Sequence, residues 1–247
     1  MKKQIPNLIT LANLFCGVGA CYYAAYNDFL SSSVYICLGI FLDFFDGLAA
    51  RLLNVASPLG KELDSLADVV TSGVAPGLLL LGIMKIGCMW HPNPLIYCLP
   101  FIAMLIPLFS AYRLAKFNLD VRQSHSFIGL PVPANALIWV GLALYLACNM
   151  YATGDYGEII HRPWFLVALA VVSIITDILM ISEIPMFSLK FDFHNMGWKQ
   201  NSVQYIFFIG CAAIIIITRS WLAISIIILW YIILSILTRK CATTSEK

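Results

Sequence analysis

The sequence predicts an all-α polytopic membrane protein, a bundle of about eight membrane-spanning helices. Hydrophobic residues make up 61% of the 247-residue chain and charged residues only 11%, whereas soluble domains carry about 25% charged residues. Long apolar stretches recur along the chain, and a transmembrane helix needs about 20 such residues. The Lys and Arg residues also segregate to one side of these stretches. This composition excludes an ordinary soluble globular domain.

Eight apolar stretches qualify as predicted spans. Short loops rich in turn residues, such as Asn27-Asp28, separate most of them. Only Arg219 and its neighbours divide the last two, so these form either a helical hairpin or one long or re-entrant element. The predicted spans lie near 7–26, 31–53, 63–85, 94–114, 131–152, 163–182, 203–218 and 220–238.

The distribution of basic residues predicts the orientation of the bundle. With eight spans, Lys85, Arg162 and Arg219 lie on one side of the membrane, and the other twelve of the fifteen Lys and Arg residues lie on the opposite side. Because cytoplasmic loops carry an excess of Lys and Arg, we expect both termini in the cytoplasm. Six or eight spans preserve this asymmetry and seven do not. We expect no nucleic-acid partner.

Four carboxylates fall inside two of the predicted spans. An ionised Asp at the centre of a span costs about 2.5–3.5 kcal/mol on insertion scales, so the group needs a neutralising partner. On a helix, Asp43 and Asp46 share a face, and Asp64 and Asp68, four residues apart, form one stripe. Ser57-Pro58 breaks the chain between the two helices. Both helices can therefore aim their carboxylates at one point.

Two divalent cations would balance the four negative charges. Ligand sets made only of oxygen favour Mg²⁺ or Mn²⁺ over zinc, and carboxylate-held metal pairs commonly serve phosphoryl chemistry. The neighbouring residues support a phosphate-containing ligand. Gly47, Ala50 and Gly60 leave space for it, and the Arg51 guanidinium can bind two phosphate oxygens at once. An ion pathway, as in a cation transporter, is the competing interpretation of intramembrane Asp residues.

The same residues meet every fixed position of the pattern D-x2-D-G-x2-A-R-x8-G-x3-D-x3-D, which begins at Asp43 and ends at Asp68. This pattern resembles the signature of the CDP-alcohol phosphotransferases, membrane enzymes that exchange the CMP of a CDP-linked lipid for an alcohol. Flanking segments resemble the bacterial and archaeal CDP-diacylglycerol–serine O-phosphatidyltransferases. These segments are 6-PNLITLANLFCG-17, 61-KELDSLADVVTSGVAP-76, 112-YRLAKFN-118, 127-FIGLPVPANA-136 and 179-LMISEIPMFSLK-190.

The resemblance implies an enzyme that makes phosphatidylserine and CMP from CDP-diacylglycerol and L-serine. It implies a six-helix membrane core, which we place over residues 1–190. The interfacial segment and membrane hairpin that we expect over 191–247 lie outside the resemblance. The resemblance also implies a homodimer in the cytoplasmic membrane of a bacterium or archaeon, with the site open to the cytoplasm. The implied metal ligands are Asp43, Asp46, Asp64 and Asp68, of which Asp68 also takes the alcohol proton. The implied CDP-binding residues are Gly47, Ala50, Arg51 and Gly60.

The acceptor site is the less constrained part of the prediction. Arg113 and Lys116 lie one turn apart at the cytoplasmic end of the fourth span, where they either capture the serine carboxylate or a lipid phosphate, or anchor the helix end. Asn118 is a candidate for the same pocket. A different acceptor, glycerol 3-phosphate or inositol phosphate, is the alternative within the reaction class.

Three further polar residues lie within apolar spans. Thr10 and Asn13 share a face of the first span, where they either pack as polar groups or line the pocket. Asp177 lies in the sixth span without a surrounding motif, and we expect a structural role for it.

Overall fold

The computed structural model describes residues 4–55, 57–89, 91, 93–119, 129–186 and 198–242, the last range with side chains over 203–238. Within these ranges the chain forms nine α-helices, with 3-10 and π segments beside some of them. The helices are α1 (Ile5–Ala25), α2 (Phe29–Leu52), α3 (Pro58–Asp68), α4 (Ala75–Cys88), α5 (Leu105–Leu119), α6 (Val132–Thr153), α7 (Pro163–Ile181), α8 (Trp198–Thr218) and α9 (Leu222–Ala242).

Among the described residues, six helical stretches are long and apolar enough to cross a membrane. A π segment, Val69–Val74, joins α3 to α4, so one stretch runs from Pro58 to Cys88. A 3-10 segment, Pro94–Met104, leads directly into α5, and that stretch ends at Leu119. The predicted helical membrane bundle is therefore confirmed, although the third and fourth spans are longer than the sequence pattern indicated.

The two C-terminal helices form the predicted hairpin. They contact each other through Phe207 and Tyr231, whose ring centroids lie 6.1 Å apart. Their apolar parts, Val203–Thr218 and Leu222–Thr238, are shorter than the other six stretches. The interfacial segment predicted before the hairpin falls largely outside the described residues, so the boundary near residue 190 stays a prediction.

The break between α2 and α3 has the local chemistry that the sequence predicted. Pro58 occupies the first turn of α3, where its missing N–H is not needed. Ser57 caps the helix, and its Oγ accepts a hydrogen bond from the Gly60 amide at 3.0 Å. The chain therefore turns back at this point, and α3 returns into the bundle beside α1 and α2.

Small residues let α1, α2 and the π segment approach one another closely. A Cβ atom at Gly17 of α1 or at Gly39 of α2 would collide with the Thr71 side chain. The Thr71 hydroxyl donates to the Asn13 backbone carbonyl oxygen at 3.2 Å, so the π segment is bound to α1 within one turn of Asp68. This close packing fixes the register of α1 against the two helices that carry the acidic residues.

The remaining helices complete the bundle around a core that includes Trp139 and Leu79. The α5 helix packs against α7, and α9 packs against α6. The hairpin is tightly seated, because the Ser225 hydroxyl donates to the Ile138 carbonyl at 2.6 Å and a Cβ atom at Gly141 would collide with Ser225.

Candidate active site

Three carboxylates meet where α2 faces α3. Asp43 comes from α2, and Asp64 and Asp68 come from successive turns of α3. One oxygen of each lies within 4.8 Å of one oxygen of both others. Asp68 is buried, with 9% of its surface exposed, and the other two are half-buried. The predicted convergence of the two helices is thus present in the fold.

The three carboxylates lie close enough together to share one ligand. Asp64 Oδ1 is buried, and no residue among those described donates a hydrogen bond to it. Like charges this close, held away from water, repel each other strongly unless cations or protons neutralise them. The oxygen donors suit a hard divalent ion. The three residues could therefore hold a metal ion.

Asp46 lies one turn beyond Asp43 on the same face of α2. It is 5% exposed, and its Oδ2 accepts a hydrogen bond from the Thr10 hydroxyl at 2.5 Å. Asp46 and Asp64 line the same cavity, although Asp46 is not within the group of three defined by the 4.8 Å separations. A short hydrogen bond to one oxygen leaves the other oxygen of Asp46 available to a ligand.

Asp68 is also held by α1. The Asn13 side-chain amide donates to Asp68 Oδ1 at 3.3 Å, and Asn13 is fully buried. Thr10 and Asn13 therefore each orient one of the carboxylates. The sequence left their roles open between packing and pocket lining; their three-residue spacing and polarity in an apolar span were the available signal.

A cavity of about 190 Å³ adjoins the carboxylates. Its walls come from α1, α2, the loop after α2 and α3. Of the predicted CDP-binding residues, Gly47, Ala50 and Gly60 line it, together with the carboxylates of Asp46 and Asp64. The other lining residues are Pro6, Asn7, Thr10, Val55, Ser57 and Lys61.

The two glycines keep this cavity open in different ways. A Cβ atom at Gly47 would project into open space, since its nearest neighbour, an Arg51 guanidinium nitrogen, would lie 4.0 Å away. A Cβ atom at Gly60 would press on the Asn7 side-chain oxygen at 3.1 Å. The Arg51 Nε donates to the Gly47 carbonyl at 3.0 Å, which holds the exposed guanidinium beside Gly47, although Arg51 itself is not among the cavity's lining residues.

Arg113 is a buried cation on α5. It is 8% exposed, its Nε has no hydrogen-bond acceptor among the described residues, and its guanidinium lies 5.8 Å from the centre of the Phe117 ring. It lies within electrostatic range of Asp68. A buried cation with an unused donor is a good candidate for binding an anionic group of a substrate.

The other two residues of the predicted acceptor site have partners within the protein. Lys116 forms a partly exposed ion pair with Glu183, at 3.6 Å between Nζ and Oε1. The Asn118 side-chain amide donates to Ser65 Oγ at 2.8 Å, and the Asn118 backbone carbonyl accepts a hydrogen bond from Lys61 Nζ at 3.1 Å. These contacts tie α5 to α3 and to the segment that follows α7, and the assignment of Lys116 and Asn118 to the acceptor site stays a prediction.

Asp177 lies apart from the acidic cluster, on α7. It is almost fully buried, and the Ser173 hydroxyl donates to its Oδ2 at 3.4 Å. The structural role predicted for it is consistent with this contact.

The fold and the site define a polytopic helical membrane protein with a cluster of carboxylates that could hold a metal ion, next to a cavity. Residues 3–179 match the family described as CDP-alcohol phosphatidyltransferase. The chain belongs to this family.

Curated relatives of this chain carry the name CDP-diacylglycerol–serine O-phosphatidyltransferase, among them the following three. The Bacillus subtilis protein is 39% identical over 159 residues, which are 63% of this chain and 84% of the relative. The Methanocaldococcus jannaschii protein is 32% identical over 180 residues, or 73% of this chain and 72% of the relative. The Helicobacter pylori protein (strain 26695) is 36% identical over 137 residues, and the match spans 55% of each chain.

Proposed function

We propose that this protein transfers a phosphatidyl group from CDP-diacylglycerol to L-serine, giving phosphatidylserine and CMP. The names of the curated relatives support the donor and the acceptor. The observation that carries the proposal is the meeting of the Asp43, Asp64 and Asp68 carboxylates beside the cavity lined by Gly47 and Gly60. The alternative of a cation transporter is disfavoured, because the family accounts for the glycines and for Arg51 as well as for the carboxylates.

The cavity would hold the CDP end of the donor. Gly47, Ala50 and Gly60 present backbone rather than bulky side chains at its wall, so a flat base or a ribose can approach closely. Arg51 beside Gly47 would pair with phosphate oxygens. The lipid chains would remain in the bilayer, beside the exposed Phe41 and Phe44 side chains of α2.

Asp43, Asp46, Asp64 and Asp68 would bind two divalent cations, Mg²⁺ or Mn²⁺. When bound, these cations neutralise the diphosphate and stabilise the charge that develops during transfer. Thr10 and Asn13 would hold Asp46 and Asp68 in the orientation required for this ligation.

Asp68 would act as the general base. Its carboxylate takes the proton of the serine hydroxyl while that oxygen forms a bond to the phosphorus attached to diacylglycerol. The bond from this phosphorus to the bridging oxygen breaks, and CMP leaves with the bond's electrons. Asn13 donates to one oxygen of Asp68, so the other oxygen is free to face the acceptor.

Arg113 would bind the serine carboxylate. Arg113 is a buried cation that interacts electrostatically with Asp68, and its Nε lacks an acceptor among the described residues. A phosphorylated acceptor carries a further charge and would need a second strong cation. Lys116 is already paired with Glu183, so the described part of the site favours serine over glycerol 3-phosphate or inositol phosphate.

We propose further that both termini and this site face the cytoplasm and that the protein is a homodimer. The excess of basic residues on one side of the bundle supports the orientation. The family resemblance alone supports the dimer. Mass measurement of the detergent-solubilised protein by light scattering tests the oligomeric state.

The proposal is tested by supplying purified protein with CDP-diacylglycerol, radiolabelled L-serine and Mg²⁺ or Mn²⁺. The expected result is labelled phosphatidylserine with one CMP released per lipid formed. Glycerol 3-phosphate in place of serine should release little CMP. CMP release with glycerol 3-phosphate but not with serine would reject the acceptor and keep the reaction class; no CMP release with any alcohol would reject both.

A further inference from the structure

A second cavity lies at the other end of the bundle, between the end of α6 and the turn that joins α8 to α9. Its volume is about 560 Å³, and its lining residues are Tyr145, Cys148, Asn149, Ile215, Arg219, Ser220 and Trp221. The start of α2 at Phe29 lies beside the same end of α6. With a rise of 1.5 Å per residue, Asp43 is about 20 Å further along α2. The cavity is therefore remote from the carboxylate cluster.

Arg219 gives this cavity a positive charge. The lining contains no carboxylate, and the Arg219 side chain has no ion pair or hydrogen bond within the part of the chain that the structure describes. Another arginine at this end, Arg162, is paired with Glu158 at 3.5 Å. The charge of Arg219 is thus available to an anion from outside the protein.

The backbone at Arg219 is unusual for this residue type. Its φ is +46°, in the left-handed region that glycine or asparagine adopts more readily. Its amide donates to the Ile215 carbonyl at 3.1 Å and so ends α8. Glycine or asparagine would adopt this backbone conformation with less strain. The presence of arginine here therefore indicates a functional role for its side chain.

The surroundings are amphipathic. Trp221 is half exposed beside the cavity, and tryptophan typically lies at the depth of lipid headgroups. The last turn of α8 exposes three isoleucines that would contact acyl chains, Ile215, Ile216 and Ile217. An occupant that satisfies both parts has an anionic head and an apolar tail.

We propose that this cavity binds the phosphate of a phospholipid headgroup in the leaflet opposite the carboxylate site. Arg219 donates to the phosphate, with Asn149 and Ser220 as polar neighbours, and one acyl chain lies along α8. The hairpin lies beyond the residues that match the family, which end at 179. Its lining comes from α6 and from the hairpin, remote from the carboxylate cluster, so the site does not depend on the proposed reaction.

The test uses the full-length protein in detergent, titrated with dioleoylphosphatidylglycerol while the thermal unfolding midpoint is measured. The midpoint of the parent should rise with the lipid. Arg219→Gln should require about tenfold more lipid for the same rise, because a charge-assisted hydrogen bond is lost. Arg162→Gln removes an arginine from the same end and should respond as the parent does. Arg219→Gly should be more stable without lipid, since it relieves the positive φ, and should still lose the lipid response.

Two comparisons separate the possible sources of the phosphate. Dioleoylglycerol, which has the same chains without phosphate, should act equally on the parent and on Arg219→Gln. Inorganic phosphate alone should not shift the midpoint of either protein. Equal lipid responses of the parent and both Arg219 variants would overturn the site. A full response to inorganic phosphate would overturn the assignment to a lipid.

Discussion

Replacing Thr10 by valine removes one hydrogen bond from the acidic cluster and almost no volume. The Thr10 hydroxyl donates to Asp46 Oδ2 at 2.5 Å, and both residues are buried, at 3% and 5% exposure. A hydrogen bond to a charged group contributes about 1.5–3 kcal/mol. Each 1.4 kcal/mol is a factor of about ten in binding. If Asp46 binds a metal ion, Thr10→Val should weaken metal binding about 10- to 100-fold, which is typical for residues that orient metal ligands.

The assay is CMP release from CDP-diacylglycerol at saturating serine and lipid, measured across a series of Mg²⁺ concentrations. Saturating lipid is needed because Thr10 also lines the cavity. The concentration of Mg²⁺ for half-maximal activity should rise in Thr10→Val. Thr10→Ser keeps the hydroxyl and should return most of the affinity. Metal-free thermal unfolding of both variants provides the control for folding.

A structural role for Thr10 would give a different pattern. In that case Thr10→Val would lower the unfolding midpoint and the amount of active protein, but the Mg²⁺ concentration for half activity would stay within about twofold of the parent, well below the change expected for an orienting residue. That result would refute the orientation of Asp46 by α1.

The remaining predictions concern the base, the acceptor site and the nucleotide cavity. Asp68→Asn should reduce turnover about 10²–10⁴-fold while CDP-diacylglycerol binding survives, and a rate near that of the parent would show that another group takes the proton. Arg113→Gln should raise the KM for serine far more than that for CDP-diacylglycerol; equal effects on both would indicate a shared phosphate site. Gly47→Val should raise the KM for CDP-diacylglycerol without loss of folding, because its side chain enters open space; an unchanged KM would exclude Gly47 from the donor site.

The acidic cluster was predictable because its determinants are local. Asp64 and Asp68 stand one turn apart on a single helix, and the Ser57-Pro58 signal marks where that helix begins. These spacings do not depend on how the rest of the bundle packs. The structure therefore retains the pattern read from the sequence, with three of the four carboxylates at the distances of a shared ligand site.

The contacts between helices were not predictable in the same way. Asn13 reaches Asp68 only because Gly17 and Gly39 allow the helices around Thr71 to approach closely, and no single-helix pattern encodes that register. The pairing of Lys116 with Glu183 likewise depends on how α5 lies against α7. From the sequence, Lys116 could either bind a substrate anion or anchor the helix end, and its place in the acceptor site stays a prediction.

The π segment was also absent from the prediction. It begins at Val69, immediately after Asp68, and widens the helix where that carboxylate meets its neighbours. Insertions of this kind are frequent at functional sites. Apolar periodicity cannot reveal it, because Val69–Val74 is apolar or small along its whole length.

The central claim is that the carboxylates act through bound divalent cations. The most direct measurement is CMP release by protein that has been exhaustively treated with EDTA and checked for metal by elemental analysis. We expect that serine-dependent release is abolished and that added Mg²⁺ or Mn²⁺ restores it, with about two ions bound per chain to balance four carboxylates. Full activity in protein that contains no detectable metal would contradict it.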